Sequence, residues 1–182
     1  MPALGIISPV RIELLDRNRH DRAGFDCGVP ALNAYLQRQA AQDEEKRAAV
    51  VYVTVLEPPA IAGYYTLSLF SIGLTHLPET EAKKLARYPL VSATLLGRLA
   101  VSEVLKGRRF GEELLFDALR RSLAQSRHIA SAGVVVDAKD EKAVAFYQKY
   151  DFTQILDADH RLFLSMNKIQ HMFGEMYCSD HP

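Results

Sequence analysis

The stretch that decides the fold is LAVSEVLKGRRFGE, residues 99–112. Its apolar beginning is typical of a strand that ends at Val101, and after Gly107 the apolar residues recur at helical spacing from Phe110 to Leu123. The loop between them is basic and contains two glycines. Such a loop turns backbone N–H groups and the positive end of a helix dipole toward one point, which favours a pyrophosphate group. The spacing is neither G-x-G-x-x-G nor a Walker A motif, and an isolated match of this kind is better explained as a solvated basic turn.

Strand-like and helix-like segments alternate on both sides of this stretch. The predicted strands are 10–15, 49–56, 61–72, 91–101, 132–136, 152–156 and 161–166. The predicted helices run from Pro30 toward Arg47 and over 79–87, 110–123 and 140–149. This order predicts an α/β (α+β) fold with one mixed central sheet flanked by helices. We expect one domain over residues 1–168 and a C-terminal tail, 169–182, in which no pattern stands out.

The composition excludes several classes of protein. The 182 residues include 22 Lys+Arg and 22 Asp+Glu, and 48% of them are hydrophobic, which is typical of a folded domain and not of a disordered chain. A zero net charge argues against indiscriminate binding to nucleic acid or to a membrane surface. No signal peptide and no apolar run of about 20 residues is found, so we expect a cytoplasmic protein.

The cysteines and histidines give no sign of a metal site. Cys27 and Cys178 lie far apart, and the six histidines are scattered without the spacing of metal ligands. Cys27 has no histidine partner and is interpreted as a packed small residue. We expect no metal and no disulfide framework.

A second segment of the sequence supports a functional interpretation of the basic loop. VVVDA, residues 134–138, ends a strand, and AVAFYQKYDF, residues 143–152, ends a helix and enters the next strand. Together with the loop, these segments resemble the GNAT superfamily of acetyl-CoA-dependent N-acetyltransferases. The usual pattern of that superfamily is Q/R-x-x-G-x-G/A followed by F-Y-x-x-x-G-F.

Four further blocks resemble the toxin branch of this superfamily. They are FDCG (25–28) with Leu32, Asn33, Tyr35 and Leu36, then AGYYTLS (62–68), then Tyr88-Pro89, and LLGRLAV (95–101). The resemblance implies a toxin that acetylates the α-amine of aminoacyl-tRNA and stops translation. It also implies a neighbouring ribbon-helix-helix antitoxin and a homodimer.

The resemblance also assigns roles to residues. Acetyl-CoA is expected in a cleft where the sheet splays, with its pantetheine on the backbone of strand residues 99–101 and its pyrophosphate on the loop 106–111. The N–H of Leu99 or Val101 would polarise the thioester carbonyl, and Tyr147 would donate a proton to the departing thiolate. The expected acetyl-CoA contacts are Leu99, Ala100, Val101, Lys106, Gly107, Arg108, Arg109, Phe110, Gly111, Glu112 and Phe146.

Two positions depart from the family pattern. Arg109 and Asp151 stand where glycine is usual. A residue with a side chain must keep φ negative there or strain the backbone. We expect the loop to adapt, with the Arg109 side chain turned outward or onto a CoA phosphate. A blocked pyrophosphate site would instead indicate a degenerate enzyme.

No general base stands out, and Asp137, Glu103 and His76 are candidates by residue type alone. An α-amine titrates near pH ~8 and a lysine side chain near ~10.4, so a site without a base suits an aminoacyl acceptor better. Two alternatives remain open. One is a GNAT enzyme for a small amine or a protein N-terminus, and the other is a catalytically weak binding module.

Charge is distributed unevenly along the chain. Residues 81–109 contain seven Lys/Arg against Glu81 and Glu103. Such a band favours contact with tRNA phosphates, although part of it can serve the phosphates of CoA. The candidate tRNA-binding residues are Lys83, Lys84, Arg87 and Arg98.

Overall fold

The computed structural model describes residues 11–85, 87–156 and 158–177. The strands are β1 (Arg11–Leu14), β2 (Val50–Val55), β3 (Ile61–Gly73), β4 (Leu90–Val101), β5 (Gly133–Asp137), β6 (Thr153–Gln154) and β7 (Arg161–Ser165). The helices are α1 (Pro30–Ala34), α2 (Ala40–Glu45), α3 (Glu79–Ala82), α4 (Phe110–Gln125), α5 (Glu141–Gln148) and α6 (Met166–Tyr177). A π-helical turn, Tyr35–Gln39, joins α1 to α2, so the helix predicted from Pro30 is confirmed as an irregular one.

The strands form a mixed sheet in the order β1-β2-β3-β4-β5-β7-β6. β4 runs parallel to β5, with Thr94 opposite Val134 and Leu96 opposite Val136. β5 runs antiparallel to β7, with Val135 opposite Phe163. The predicted α/β fold, with one mixed sheet flanked by helices, is confirmed.

The chain divides into two compact units. The first contains the described residues up to Tyr65 together with Leu99–Leu114, and the second contains Thr66–Arg98 and the described residues from Leu115 onward. The expected single domain over residues 1–168 stays a prediction.

The first unit is built around an aromatic core. Tyr64 is fully buried, its ring contacts the rings of Phe25 and Tyr35, and its hydroxyl donates to the carbonyl of Leu32 at 2.8 Å. Val51 and Val53, two residues apart on β2, are also fully buried and belong to the same core. The tyrosine can be buried because its polar atom has a partner.

The second unit is organised around β5. Val134, Val135 and Val136 are completely buried, so both faces of this strand are covered. Val135 packs with Phe163 of β7 and with Ile72, Val91 and Ala93 of β3 and β4. A run of β-branched residues without alternation is what a strand covered on both faces requires.

Two sequence-based boundaries need correction. Residues 169–177, which the sequence predicts to be a tail, belong to α6, where Ile169 and Phe173 are buried. Ile169, Met172, Phe173 and Met176 stand at i, i+3, i+4 and i+7 in the sequence, so a signal for this helix is present and the prediction of a tail overlooks it. The helix predicted over 79–87 ends at Ala82, because the N–H groups of Lys84 and Leu85 bond three residues back in tight turns.

The backbone keeps a glycine-like conformation at both positions where the family pattern has glycine. φ is +65° at Arg109 and +64° at Asp151, so of the two possibilities, a negative φ or a strained backbone, the strained backbone is the one adopted. The Arg109 side chain is 80% exposed, as expected for one turned outward. Asp151 follows α5, where a left-handed residue ends a helix by turning the chain.

A glycine at the start of β5 has no room for a side chain. A Cβ on Gly133 would overlap the Leu164 carbonyl and the Phe163 ring, whereas a Cβ on Gly174 of α6 would meet nothing within 4 Å. Gly133→Ala is therefore expected to lower the free energy of unfolding by at least about 2 kcal/mol. Gly174→Ala, the matched control, is expected to raise it by roughly 0.5 kcal/mol. Urea unfolding measures both, and an undisturbed Gly133→Ala protein would contradict the packing described here.

The left-handed backbone at Asp151 gives a second prediction. Asp151→Val is expected to lower the free energy of unfolding by about 1–2 kcal/mol, because a β-branched residue fits a positive φ poorly. Asp151→Gly is expected to stay within about 0.5 kcal/mol of the parent, since relief of strain offsets the greater freedom of the unfolded chain. Thermal unfolding of the parent and the two variants tests this order, and equal stability of the valine and glycine variants would refute it.

Candidate functional site

The basic loop lies in the first unit and connects the end of β4 to α4. The N–H of Ser102 donates to the carbonyl of Ala62 at 2.8 Å, which fixes the point where the strand ends. A 3₁₀ turn, Glu103–Leu105, follows, and Gly107 then adopts a φ of +77°. A Cβ on Gly107 would meet nothing within 4 Å, so backbone conformation and not crowding explains this glycine.

The start of α4 provides backbone donors. The N–H groups of Glu112 and Glu113 donate to the carbonyl of Arg109 at 3.0 and 3.2 Å. Those of Phe110 and Gly111 lie in the first turn, where an α-helix offers no carbonyl partner of its own. This first turn, the open space at Gly107 and the neighbouring cations suit an anionic group such as a pyrophosphate.

Carboxylates balance two of the three cations in this loop. The Lys106 ammonium donates to Glu103, and the Arg109 Nε donates to Glu112 Oε2 at 2.7 Å. The hydrogen bond to Glu103 raises the pKa of Lys106 above its usual value. Among the described residues, Arg108 has no ion pair. The loop is therefore less positive than its sequence indicates.

The block FDCG belongs to the same unit and stabilises this loop through hydrogen bonds. The Asp26 carbonyl accepts the N–H of Glu103 at 2.9 Å. The Asp26 Oδ1 accepts the N–H of Gly28 at 2.8 Å and the Asn33 amide at 2.7 Å. These bonds, and then the charge of Lys106, lower the pKa of Asp26. Sequence reasoning marked Asn33 and the block but found no role for them.

Gly28 and Cys27 of the same block also fit closely into this arrangement. Gly28 has a φ of +74°, and a Cβ there would overlap the Glu103 carboxylate. Cys27 is buried, as expected of a packed residue, and its N–H donates to Asn33 Oδ1 at 2.9 Å. Cys178 lies outside the described residues.

Tyr147 lies on α5 in the second unit. The helix begins at a capping residue, Asp140, whose Oδ1 accepts the N–H of Ala143 at 2.8 Å. The Tyr147 side chain packs edge-on against the rings of Phe146 and Phe152, at centroid distances of 5.2 and 5.4 Å. Burial raises its pKa well above the ordinary value, so the hydroxyl keeps its proton at neutral pH.

Of the three candidate bases, two are bonded to cationic side chains and one is exposed in a turn. Asp137 accepts two hydrogen bonds from the Arg161 guanidinium, at 2.6 and 2.9 Å, and Glu103 is bonded to Lys106. His76 is exposed at the end of a 3₁₀ turn. The partner of Asp137 lies 24 residues further along the chain, which no local pattern reveals.

The candidate tRNA-binding residues lie in the second unit. Lys83 pairs with Glu79 at 2.7 Å, and Lys84 lies 3.8 Å from Glu81. Arg87 is exposed, and Arg98 is half-buried. Their role, like that of Tyr147 and the acetyl-CoA contacts, stays a prediction at this point.

In the part of the chain that the structure describes, no group of three or more His, Cys, Asp or Glu side chains could hold a metal ion. The described helices are also too short or too polar to cross a lipid bilayer.

Comparison with curated proteins finds relatives over almost the whole chain. A probable toxin TacT of Sinorhizobium fredii is 28% identical over 171 residues, which cover 90% of this chain and 94% of the relative. A tRNA-acetylating toxin of Mycobacterium tuberculosis is also 28% identical and covers 94% of this chain and 99% of its own length. No family model matches.

Solved structures give the same result. A KacT variant with a tyrosine changed to phenylalanine has a TM-score of 0.84 and 31% identity, over 90% of this chain and 99% of KacT. AtaT complexed with acetyl-methionyl-tRNAfMet has a TM-score of 0.83 and 28% identity, over 90% and 99%. AtaTR bound with AcCoA has a TM-score of 0.79 and 28% identity, over 90% and 98%.

The sequence motifs, the mixed sheet and these likenesses agree with one another. The chain belongs to the toxin branch of the GNAT superfamily of N-acetyltransferases.

Proposed function

We propose that this protein transfers acetyl from acetyl-CoA to the α-amino group of aminoacyl-tRNA and thereby blocks translation as the toxin of a toxin-antitoxin system. The observation that carries the proposal is a buried tyrosine, Tyr147, at the family's proton-donor position, in a chain that shares its fold with AtaT and KacT. The M. tuberculosis relative is a tRNA-acetylating toxin, and AtaT has been seen with acetyl-methionyl-tRNAfMet.

The loop between β4 and α4 supports a role in holding acetyl-CoA. The N–H groups of Phe110 and Gly111, the open space at Gly107 and the cation of Arg108 fit a pyrophosphate. The β4–β5 register runs from Thr94 to Leu96, whereas β4 itself continues to Val101. We assign the backbone of residues 99–101 to the pantetheine arm and the N–H of Leu99 or Val101 to the thioester carbonyl.

The reaction needs few side chains. The amine nitrogen attacks the thioester carbon, the carbon–sulfur bond breaks, and the amine releases a proton to water, from which Tyr147 later regains the proton that it gives away. We assign to Tyr147 the donation of a proton to the departing thiolate, on the basis of its place in the family pattern. Burial raises the pKa of this hydroxyl and so makes it a weaker acid, which means that the transfer depends on the thiolate being formed next to it. Asp137 and Glu103 are engaged by cations, so we assign no general base. An α-amine with a pKa of about 8 supplies its own free fraction at neutral pH.

The alternatives have less support. Arg109 and Asp151 both adopt a positive φ, the region that favours glycine, and the Arg109 side chain is exposed, which supports an intact loop over a degenerate binding module. AtaT has been seen with an acetylated tRNA, which favours an aminoacyl-tRNA acceptor over a small amine or a protein N-terminus. We further propose a homodimer and a ribbon-helix-helix antitoxin as partner. The proposal of a separate antitoxin is supported by the complexes of AtaT with AtaR.

The variant Tyr147→Phe removes the hydroxyl that donates the proton but keeps the ring that packs against its neighbours. We expect purified protein with labelled acetyl-CoA to modify aminoacyl-tRNA but not deacylated tRNA, and Tyr147→Phe to lower kcat by about 100-fold or more. Tyr150→Phe removes a hydroxyl one turn further along and serves as the matched control, with activity retained. Equal labelling of deacylated tRNA, or preferred labelling of spermidine or peptide N-termini, would refute the proposal.

The pH dependence should follow the acceptor. We expect kcat/KM for aminoacyl-tRNA to rise from about pH 6 and to level off near the amine pKa of about 8. No fall is expected up to about pH 9, because Tyr147 loses its proton only at a pH well above that range. Initial rates in overlapping buffers measure the profile. A descending limb between about pH 8 and 9 that disappears in Tyr147→Phe would show that the tyrosine pKa is lowered below its ordinary value of about 10, contrary to the direction that burial gives it.

A further inference from the structure

The second unit contains a cavity that the proposed chemistry does not use. Its volume is about 460 Å³, and it lies among the start of β4, residues 130–132 and the start of α6. Lys84, Tyr88 and Leu90 line one side, and Ser131 and Met166 line another. A volume of this size lies within the range of small-ligand sites, roughly 300–1,000 Å³.

Hydrogen bonds fix the walls of this cavity. The N–H of Ala132 donates to the Ser92 carbonyl at 2.7 Å, and the N–H of Met166 donates to the Ala132 carbonyl at 2.8 Å. On α3, the Glu81 carboxylate is 5% exposed as a residue and binds the Lys168 ammonium of α6 at 2.9 Å. Three separate segments are thus held together, so the cavity is formed before any ligand binds.

The electrostatic character of the cavity suits a nucleic acid. None of its twelve lining residues is acidic, Lys84 contributes a cation, and the exposed Arg87 precedes Tyr88. The first unit contains a larger cavity, of about 750 Å³, but four carboxylates line it against two arginines, Arg17 and Arg19; the carboxylates are those of Glu13, Asp16, Glu44 and Glu45. A phosphate backbone would be repelled there and attracted to the cavity at Tyr88.

Exposed apolar side chains mark the mouth of the cavity. Tyr88 is 68% exposed and Leu90 is 63% exposed, although both line it. A tyrosine ring in this position offers a face on which an unpaired base can stack, whatever the base. The Ser92 hydroxyl and the Asn167 amide supply polar partners for a base edge, whereas the Ser131 hydroxyl is already bonded to the Gly133 carbonyl and to Thr94.

We propose that this cavity binds an unpaired nucleotide of the single-stranded 3′ end of the tRNA substrate. The base stacks on Tyr88, and the phosphate lies near Lys84 and Arg87. The inference rests on the proposed function and adds a subsite to it. The cavity then positions the acceptor end without reading the anticodon.

Two acceptors of different length test this subsite. Aminoacyl-tRNA carries the preceding nucleotides, whereas aminoacyl-adenosine lacks them and reports the chemistry alone. We expect Tyr88→Ala to lower kcat/KM for aminoacyl-tRNA by roughly 5- to 100-fold and to leave that for aminoacyl-adenosine unchanged. Tyr88→Phe keeps the ring and should stay within about twofold of the parent. Leu69→Ala, at another exposed apolar residue of this unit, is the control and should change neither value.

The other outcomes would contradict either the proposed function or the nucleotide subsite. If the parent protein acetylates neither acceptor, the proposed function fails. If it acetylates both and Tyr88→Ala acts on aminoacyl-tRNA as well as the parent does, the subsite fails alone. A Tyr88→Ala protein with unchanged tRNA kinetics but a changed molecular mass in solution, or weaker antitoxin binding, would show that the face is a protein interface instead.

Discussion

The burial of β5 on both faces is the constraint on which the second unit depends. Its three central valines are completely buried, and the strand is hydrogen-bonded to β4 on one side and β7 on the other. A strand in this position tolerates neither a polar residue nor a shift in register, because either would place the wrong atoms in two layers at once. The carboxyl end of β5 leads into Asp140 and α5, which carries Tyr147. The position of the tyrosine therefore follows from the packing of this short strand.

Much of this arrangement could be predicted from the sequence. The apolar runs at 132–136 and 161–166 and the helical spacing after Phe110 depend on local side-chain periodicity, and all three lie within a few residues of the observed elements. Helix α6 could also have been predicted in this way, because Ile169, Met172, Phe173 and Met176 recur at i, i+3, i+4 and i+7. The prediction of a tail without a pattern overlooks this spacing.

Other features depend on residues that are distant in the sequence. The pairing of Asp137 with Arg161 turns a candidate base into part of an ion pair, and the bracing of Glu103 by Asp26 spans 77 positions, from 26 to 103. The left-handed backbone at Arg109 is not indicated by the residue type, because arginine carries no preference for it. These features follow from tertiary structure, and only the fold brings the partners together.

The ion pairs in the basic loop bear on how ionic strength acts on the two substrates. Lys106 and Arg109 each face a carboxylate, so a pyrophosphate bound as proposed at this loop would replace existing attractions instead of meeting three unbalanced cations. Added salt screens both the existing cation–carboxylate pairs and the cation–pyrophosphate contacts that would replace them. Its effects on the free and the bound protein therefore partly cancel in the binding affinity. A tRNA releases many counterions when it binds, and its affinity falls steeply with salt. Moderate salt is therefore expected to weaken the binding of tRNA more than the binding of acetyl-CoA.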